Sequence, residues 1–136
     1  MAENASMFDA YLKEQNIALE KKENDDGIVY VVRELLPDVG PVAVVLLFNP
    51  SDRLVTVIAY QYLKIADPAK TRDVIELINV LNAEYTMVKF TAAADFVTVQ
   101  VALPFNGNFT SEVIVEMVSV LLQAIREEHP RFMALM

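Results

Sequence analysis

The sequence predicts an α+β domain: an antiparallel sheet with helices packed on it, in the order α-β-β-β-β-α-β-β-α. Three observations carry this. Apolar residues recur at helical spacing near the start, the middle and the end of the chain. Between them lie β-branched runs separated by short Gly, Pro, Asn and Asp clusters, the pattern of hairpins. A length of 136 residues suits one domain, so residues 1–136 are read as a single unit.

The first helix is short. Ser6 and Asp9 have the spacing of a capping box, Met7, Phe8, Tyr11 and Leu12 form one apolar stripe, and Asn16 is the expected stop. A strand from about Ile17 to Lys22 follows. Asn24-Asp25-Asp26-Gly27 then turns the chain, with Asp-Gly supplying the positive φ angles of a tight hairpin. The second strand runs from about Ile28 to Leu36 and ends at Pro37-Asp38-Val39-Gly40. Val42 to Phe48 is continuously apolar and rich in β-branched residues, which predicts a central strand covered on both faces. Beyond Asn49-Pro50-Ser51-Asp52 the fourth strand spans Leu54 to about Leu63.

Asp67 as N-cap, with Pro68 at the first helical position, opens the second helix, which reaches about Asn82. Val74, Ile75, Leu77, Ile78 and Leu81 form its expected buried side; Arg72, Asp73, Glu76 and Asn79 face outward. A second hairpin pairs Thr86 to Thr91 with Phe96 to Leu103 across Ala92-Ala93-Ala94-Asp95. In its second strand Val97, Val99, Val101 and Leu103 point one way, Thr98 and Gln100 the other. After Asn106-Gly107-Asn108, Thr110 or Ser111 caps the third helix, which is expected to reach about Glu128 before Pro130 stops or kinks it.

That third helix is unusually apolar. Its polar residues, Glu112, Glu116, Ser119, Gln123 and Glu127, fall on one narrow stripe. A surface helix normally buries a third to a half of its circumference. This one asks for cover on two sides: by the sheet, and by either the first helix or a second protomer. Val113, Val115, Met117, Val120 and Leu122 are therefore the expected partner or dimer interface. Asn79 and Asn82 join them. Asn is a poor residue inside a helix, so the pair either caps the helix end and ties down the next loop or hydrogen-bonds a partner.

Bulk chemistry narrows the function. A net charge of −8 argues against nucleic acid and anionic membrane surfaces as partners. The absence of cysteine removes disulfides, thiolate metal sites and cysteine nucleophiles. No signal-peptide pattern and no apolar run of spanning length is visible, so a cytoplasmic location is expected. The one histidine, His129, reads as a capping or exposed residue at a helix end. Glu23 to Asp26 lacks the alternating oxygen ligands of an EF-hand loop. Gly27, Gly40 and Gly107 all sit in expected turns and form no phosphate-binding loop. Asn108-Phe109-Thr110 matches a glycosylation acceptor by chance. No catalytic residue, metal or cofactor is called for.

The element order, together with several local phrases, resembles the YbjN family of bacterial proteins. The phrases are Val74-Ile75-Glu76-Leu77-Ile78-Asn79-Val80-Leu81-Asn82-Ala83-Glu84-Tyr85, the strand at Val88-Lys89-Phe90, the Val97 to Leu103 strand and the helix start at Ser111 to Val115. The likeness is best over residues 67–128. It implies a fold like the type III secretion chaperones, usually dimeric, and a role in sensory transduction without established catalytic residues. The expectation is a non-enzymatic binding or chaperone-like regulatory module acting as a homodimer on a client protein. The alternative is a small-molecule sensor whose pocket is lined by Tyr60, Tyr62, Phe90 and Phe96.

Overall fold

A computed structural model describes residues 3–136. Its elements are α1 (Glu3–Glu14), β1 (Glu20–Asn24), β2 (Gly27–Leu36), β3 (Gly40–Phe48), β4 (Leu54–Lys64), α2 (Thr71–Glu84), β5 (Lys89–Ala93), β6 (Phe96–Pro104) and α3 (Ser111–Met133). A short 3₁₀ turn, Pro68–Lys70, leads into α2, and the Asp67 carboxylate caps it by accepting from the Ala69 N–H. The strands form one antiparallel sheet in the order β1-β2-β3-β4-β6-β5. The α+β architecture and the element order are those expected.

The core lies between the sheet and the helices. Tyr30, Val32, Val44, Leu46, Val55, Val57, Val99 and Val101 contribute one face of the sheet to it. Phe8 and Leu12 of α1, Val74, Ile78 and Leu81 of α2, and Ile114, Leu121 and Ile125 of α3 close it from the other side.

Several boundaries differ from expectation. Helix α1 already includes Glu3, so Ser6 is an exposed residue inside it rather than its cap. Asn4 anchors that end instead, donating its backbone N–H to Asp52 Oδ1 and its side-chain amide to the Asp52 carbonyl, each at 2.9 Å. Asn16 does stop the helix, with φ of 56°. Strand β1 begins at Glu20, not Ile17. The first hairpin turns on Asp25-Asp26, and the positive φ falls on Gly27 alone. Strand β5 begins at Lys89, and Ala94-Asp95 make its turn, both at positive φ.

Strand β4 is irregular. Between Ala59 and Leu63 its pairing with β6 shifts register, so Tyr60, Gln61 and Tyr62 oppose Thr98. Gln61, at φ of 49°, absorbs the distortion. The bulge sends Tyr60 into solvent and turns Tyr62 toward α3, where it meets His129 and Phe132.

Helix α3 continues past Pro130 to Met133, against the expectation that it ends near Glu128. Proline removes one backbone bond and crowds the preceding turn. Phe132 outweighs that cost: it is fully buried beside Tyr62 and Phe90 and holds the last turn in helical register. In α2, Ile75 is exposed rather than buried.

Candidate functional site

The helical layer is incomplete over one end of β2. Helix α1 covers Tyr30, whose hydroxyl donates to Asp9 Oδ1 at 2.5 Å and reaches the Ala5 carbonyl at 3.3 Å. Two turns later α1 ends at Glu14, and Val32 and Glu34 on the same face of β2 have no helix above them. The far wall is α3. Between the two lies an apolar groove of about 280 Å³, floored by Val32 and Leu46 and walled by Leu12, Val115, Val118 and Leu122. Ile17 and Leu19, on the loop before β1, close its outer side. Past Glu34 and Leu122 the groove opens into a wider trough of about 610 Å³ that reaches Gln123, Arg126 and Glu127. From Val115 to Arg126 it runs about 16 Å along α3, the length of three helical turns.

The polar stripe of α3 lies in water as expected: Glu112, Glu116, Ser119, Gln123 and Glu127 are all exposed. The residues flanking it divide. Val115 is 40% exposed, and Val115 and Leu122 both face the groove. Val113 and Val120 are half-buried against the chain's own core. Met117 is buried in that core, which leaves it no outward surface.

The two asparagines also divide. Asn79 is exposed. Asn82 uses its amide within the chain: Oδ1 accepts from the Phe90 N–H at 2.8 Å and Nδ2 donates to the Phe90 carbonyl at 2.9 Å. The amide stands in for a neighbouring peptide on the free edge of β5, which an unpaired edge strand needs if it is not to recruit another chain. Of the two alternatives for Asn82, tying down the segment after the helix is the one whose bonds are present.

The C-terminal end of α3 is braced by polar side chains. Tyr62 and His129 Nδ1 share a hydrogen bond of 2.5 Å, so His129 is half-buried and neither a cap nor fully exposed. Glu128, 7% exposed, accepts from the Tyr85 hydroxyl at 2.6 Å and from Arg131 at 3.1 Å. Burial pushes the Tyr62 hydroxyl well above its ordinary pKa. Burial does the same to Tyr85, reinforced by its bond to Glu128. Both phenols are therefore held protonated, and Tyr85 donates to Glu128.

Beside the groove, Asp9 accepts from Tyr30 and pairs with Lys21 at 2.7 Å. Burial works to raise the Asp9 carboxyl, but the hydrogen bonds from Lys21 and Tyr30 and the Lys21 charge together hold it below its ordinary 3.8. A depressed folded-state pKa means this contribution is present above the unfolded pKa and is lost as pH falls through the folded one. Stability is expected to drop on acidification below about pH 4. Asp9→Asn should flatten that limb in urea midpoints measured against pH, and an unchanged slope would remove Asp9 from the account.

Tyr60, Tyr62, Phe90 and Phe96 do not converge on a pocket. Phe90 is core, Tyr62 faces His129, Tyr60 is 55% exposed, and Phe96 pairs with Lys64 at the end of β6. The bulge in β4 separates them. Sequence reasoning missed the groove floor and its outer side, Val32, Glu34, Ile17 and Leu19. The available signal was the length of α1, which is too short to cover all of β2.

Among the described residues no three His, Asp or Glu side chains gather in a way that could hold a metal ion. None of the described helices is long and apolar enough to cross a membrane. Comparison with curated proteins returns no match. A family model, YbjN, described as "Putative bacterial sensory transduction regulator", matches residues 4–132. That span takes in every strand, α2, nearly all of α1 and α3, and both walls of the groove, and the chain belongs to the YbjN family.

Proposed function

We propose that this chain is a non-enzymatic regulatory module, acting as a homodimer, that holds an apolar segment of a client protein in the groove between α1 and α3. The observation that carries the reading is the wall of α3. Val115, Val118 and Leu122 border an apolar hollow that no segment of the described chain fills. The family's regulatory description supports a role in signalling without naming a reaction.

The shape favours a polypeptide guest. An amphipathic helix docks by apolar side chains at i, i+3 or i+4, and i+7, and three turns match the length of the groove. Glu34, Arg126 and Glu127 at the open end supply charged partners for the guest's polar flank. At about 280 Å³ the closed part lies at the lower limit of small-molecule pockets, which favours inserted side chains over a whole ligand.

Peptide-display selection against the folded chain tests this. Enriched peptides should share helical apolar spacing and should shift the NMR resonances of Val32, Val118 and Leu122. Val118→Asp should weaken them by about tenfold or more while leaving the circular dichroism unchanged. Peptides that bind equally well to Val118→Asp, or that shift only residues remote from the groove, would remove this site from the proposal.

A further inference from the structure

Residues of β3 read as a strand covered on both faces, yet the helices cover one. The outward positions form cross-strand rows: Val31, Val45, Ile58 and Gln100 in one, with Ile58 already buried among its neighbours, and Val29, Leu47, Thr56 and Ala102 in the next. An antiparallel sheet with one face in water normally alternates apolar inward with polar outward. Here the centre of the outer face is apolar, and Leu35, 77% exposed, lies on the same face of β2 beyond Arg33.

We infer that this outer face is the surface on which two copies of the chain join, sheet against sheet. The inference rests on the homodimer in the reading above and assigns its surface, away from the groove. Shape is the first argument. A flat apolar face is covered by another layer whose own backbone is already hydrogen-bonded. An extended client strand lying across it would leave its N–H and C=O groups unpaired. Two such sheets pack about 10 Å apart with their strands within about 30° of each other.

Area is the second argument. Four long strands at about 4.8 Å spacing and about 30 Å length present about 580 Å² per copy. That is close to the lower end of the about 600–1,000 Å² per partner of a standard-size stable interface. Charge is the third. Of the 19 acidic residues, Glu20 is the one at an outward strand position, and it is already paired with Arg33 and Lys22. The net charge of −8 is therefore carried elsewhere, and copies meeting here do not bring their acids together. Lys22, Lys64 and Lys89 stand at the rim, where long side chains splay into water, and Arg33, between Val31 and Leu35 on the outward face of β2, is paired with Glu20 at 3.3 Å.

Light scattering on a sizing column tests the assignment, across a wide concentration range. The wild-type chain should run at the mass of two chains of 15.3 kDa. Val45→Asp should separate them, and so should Ala43→Lys, which alters an exposed strand position that tolerates lysine in a folded chain. Val115→Asp in the groove should remain a dimer. Three results overturn the inference: a wild-type monomer at every concentration, both outer-face variants still dimeric, or dissociation by Val115→Asp alone. Peptide binding by monomeric Ala43→Lys separates the two proposals, because its retention keeps the groove reading whatever the mass shows.

Discussion

Replacing Phe132 by alanine is expected to lower the stability of the chain by about 3–5 kcal/mol, the range for removing a fully buried aromatic side chain. Phe132 has no exposed surface and packs on Tyr62 at 6.1 Å and on Phe90 at 6.1 Å between ring centroids. Its loss leaves a cavity and removes the contact that carries α3 past Pro130. The last turn should then fray, and the bonds of Glu128 and His129 with Tyr85 and Tyr62 should loosen with it. Met133→Ala, one residue on and 41% exposed, serves as the control and should cost less than about 1 kcal/mol. Urea unfolding measures both. Equal midpoints for the two variants would mean that the end of α3 is not part of the core.

Gly27→Ala is the second large effect, with a different physical origin. Gly27 has φ of +131°, a region that L side chains rarely adopt. A Cβ built there would lie 2.1 Å from the carbonyl oxygen of Phe48. That oxygen belongs to the backbone of a buried residue paired with both Ile28 and Val55, so it cannot move aside without opening two ladders. Backbone strain of this kind costs about 1–3 kcal/mol, and the clash adds to it, so a total of about 3 kcal/mol or more is expected. Gly107→Ala isolates the strain, because Gly107 also has positive φ but nothing within 4 Å of its Cβ position. Its cost should be about 1 kcal/mol. If the two substitutions shift the urea midpoint equally, the close approach of Gly27 to β3 is wrong.

The architecture was legible because it rests on local signals. Alternation in Val97, Val99, Val101 and Leu103, the Asp67-Pro68 helix start and the turn residues at 37–40 each act within a few neighbours in sequence. The polar stripe of α3 was legible for the same reason: a period of 3.6 residues needs no knowledge of the partner surface. Boundaries were less so. Ile17 and Leu19 have the character of strand residues, but pairing with β2 begins only at Glu20 opposite Val31, and these two side chains instead close the outer side of the groove.

The sequence by itself determined the element order, the two hairpins, the core face of β6 and the excess apolar surface of α3; the apolar run of β3, expected to be covered on both faces, meets helices on one face only. Tertiary structure alone decided where that excess goes. Helix α3 uses Met117 inward and leaves Val115 and Leu122 on a groove, because α1 is too short to reach them. The bulge at Tyr60–Tyr62 moved one tyrosine to solvent and the other to His129, and no periodicity announces a three-residue bulge. Asn82 found the free edge of β5, and Phe132 carried a helix through a proline, because both act through residues distant in the chain. Local pattern sets what each segment can bury. Only the packing of segments far apart in sequence sets what remains uncovered, and on this chain the uncovered surfaces are where function is proposed.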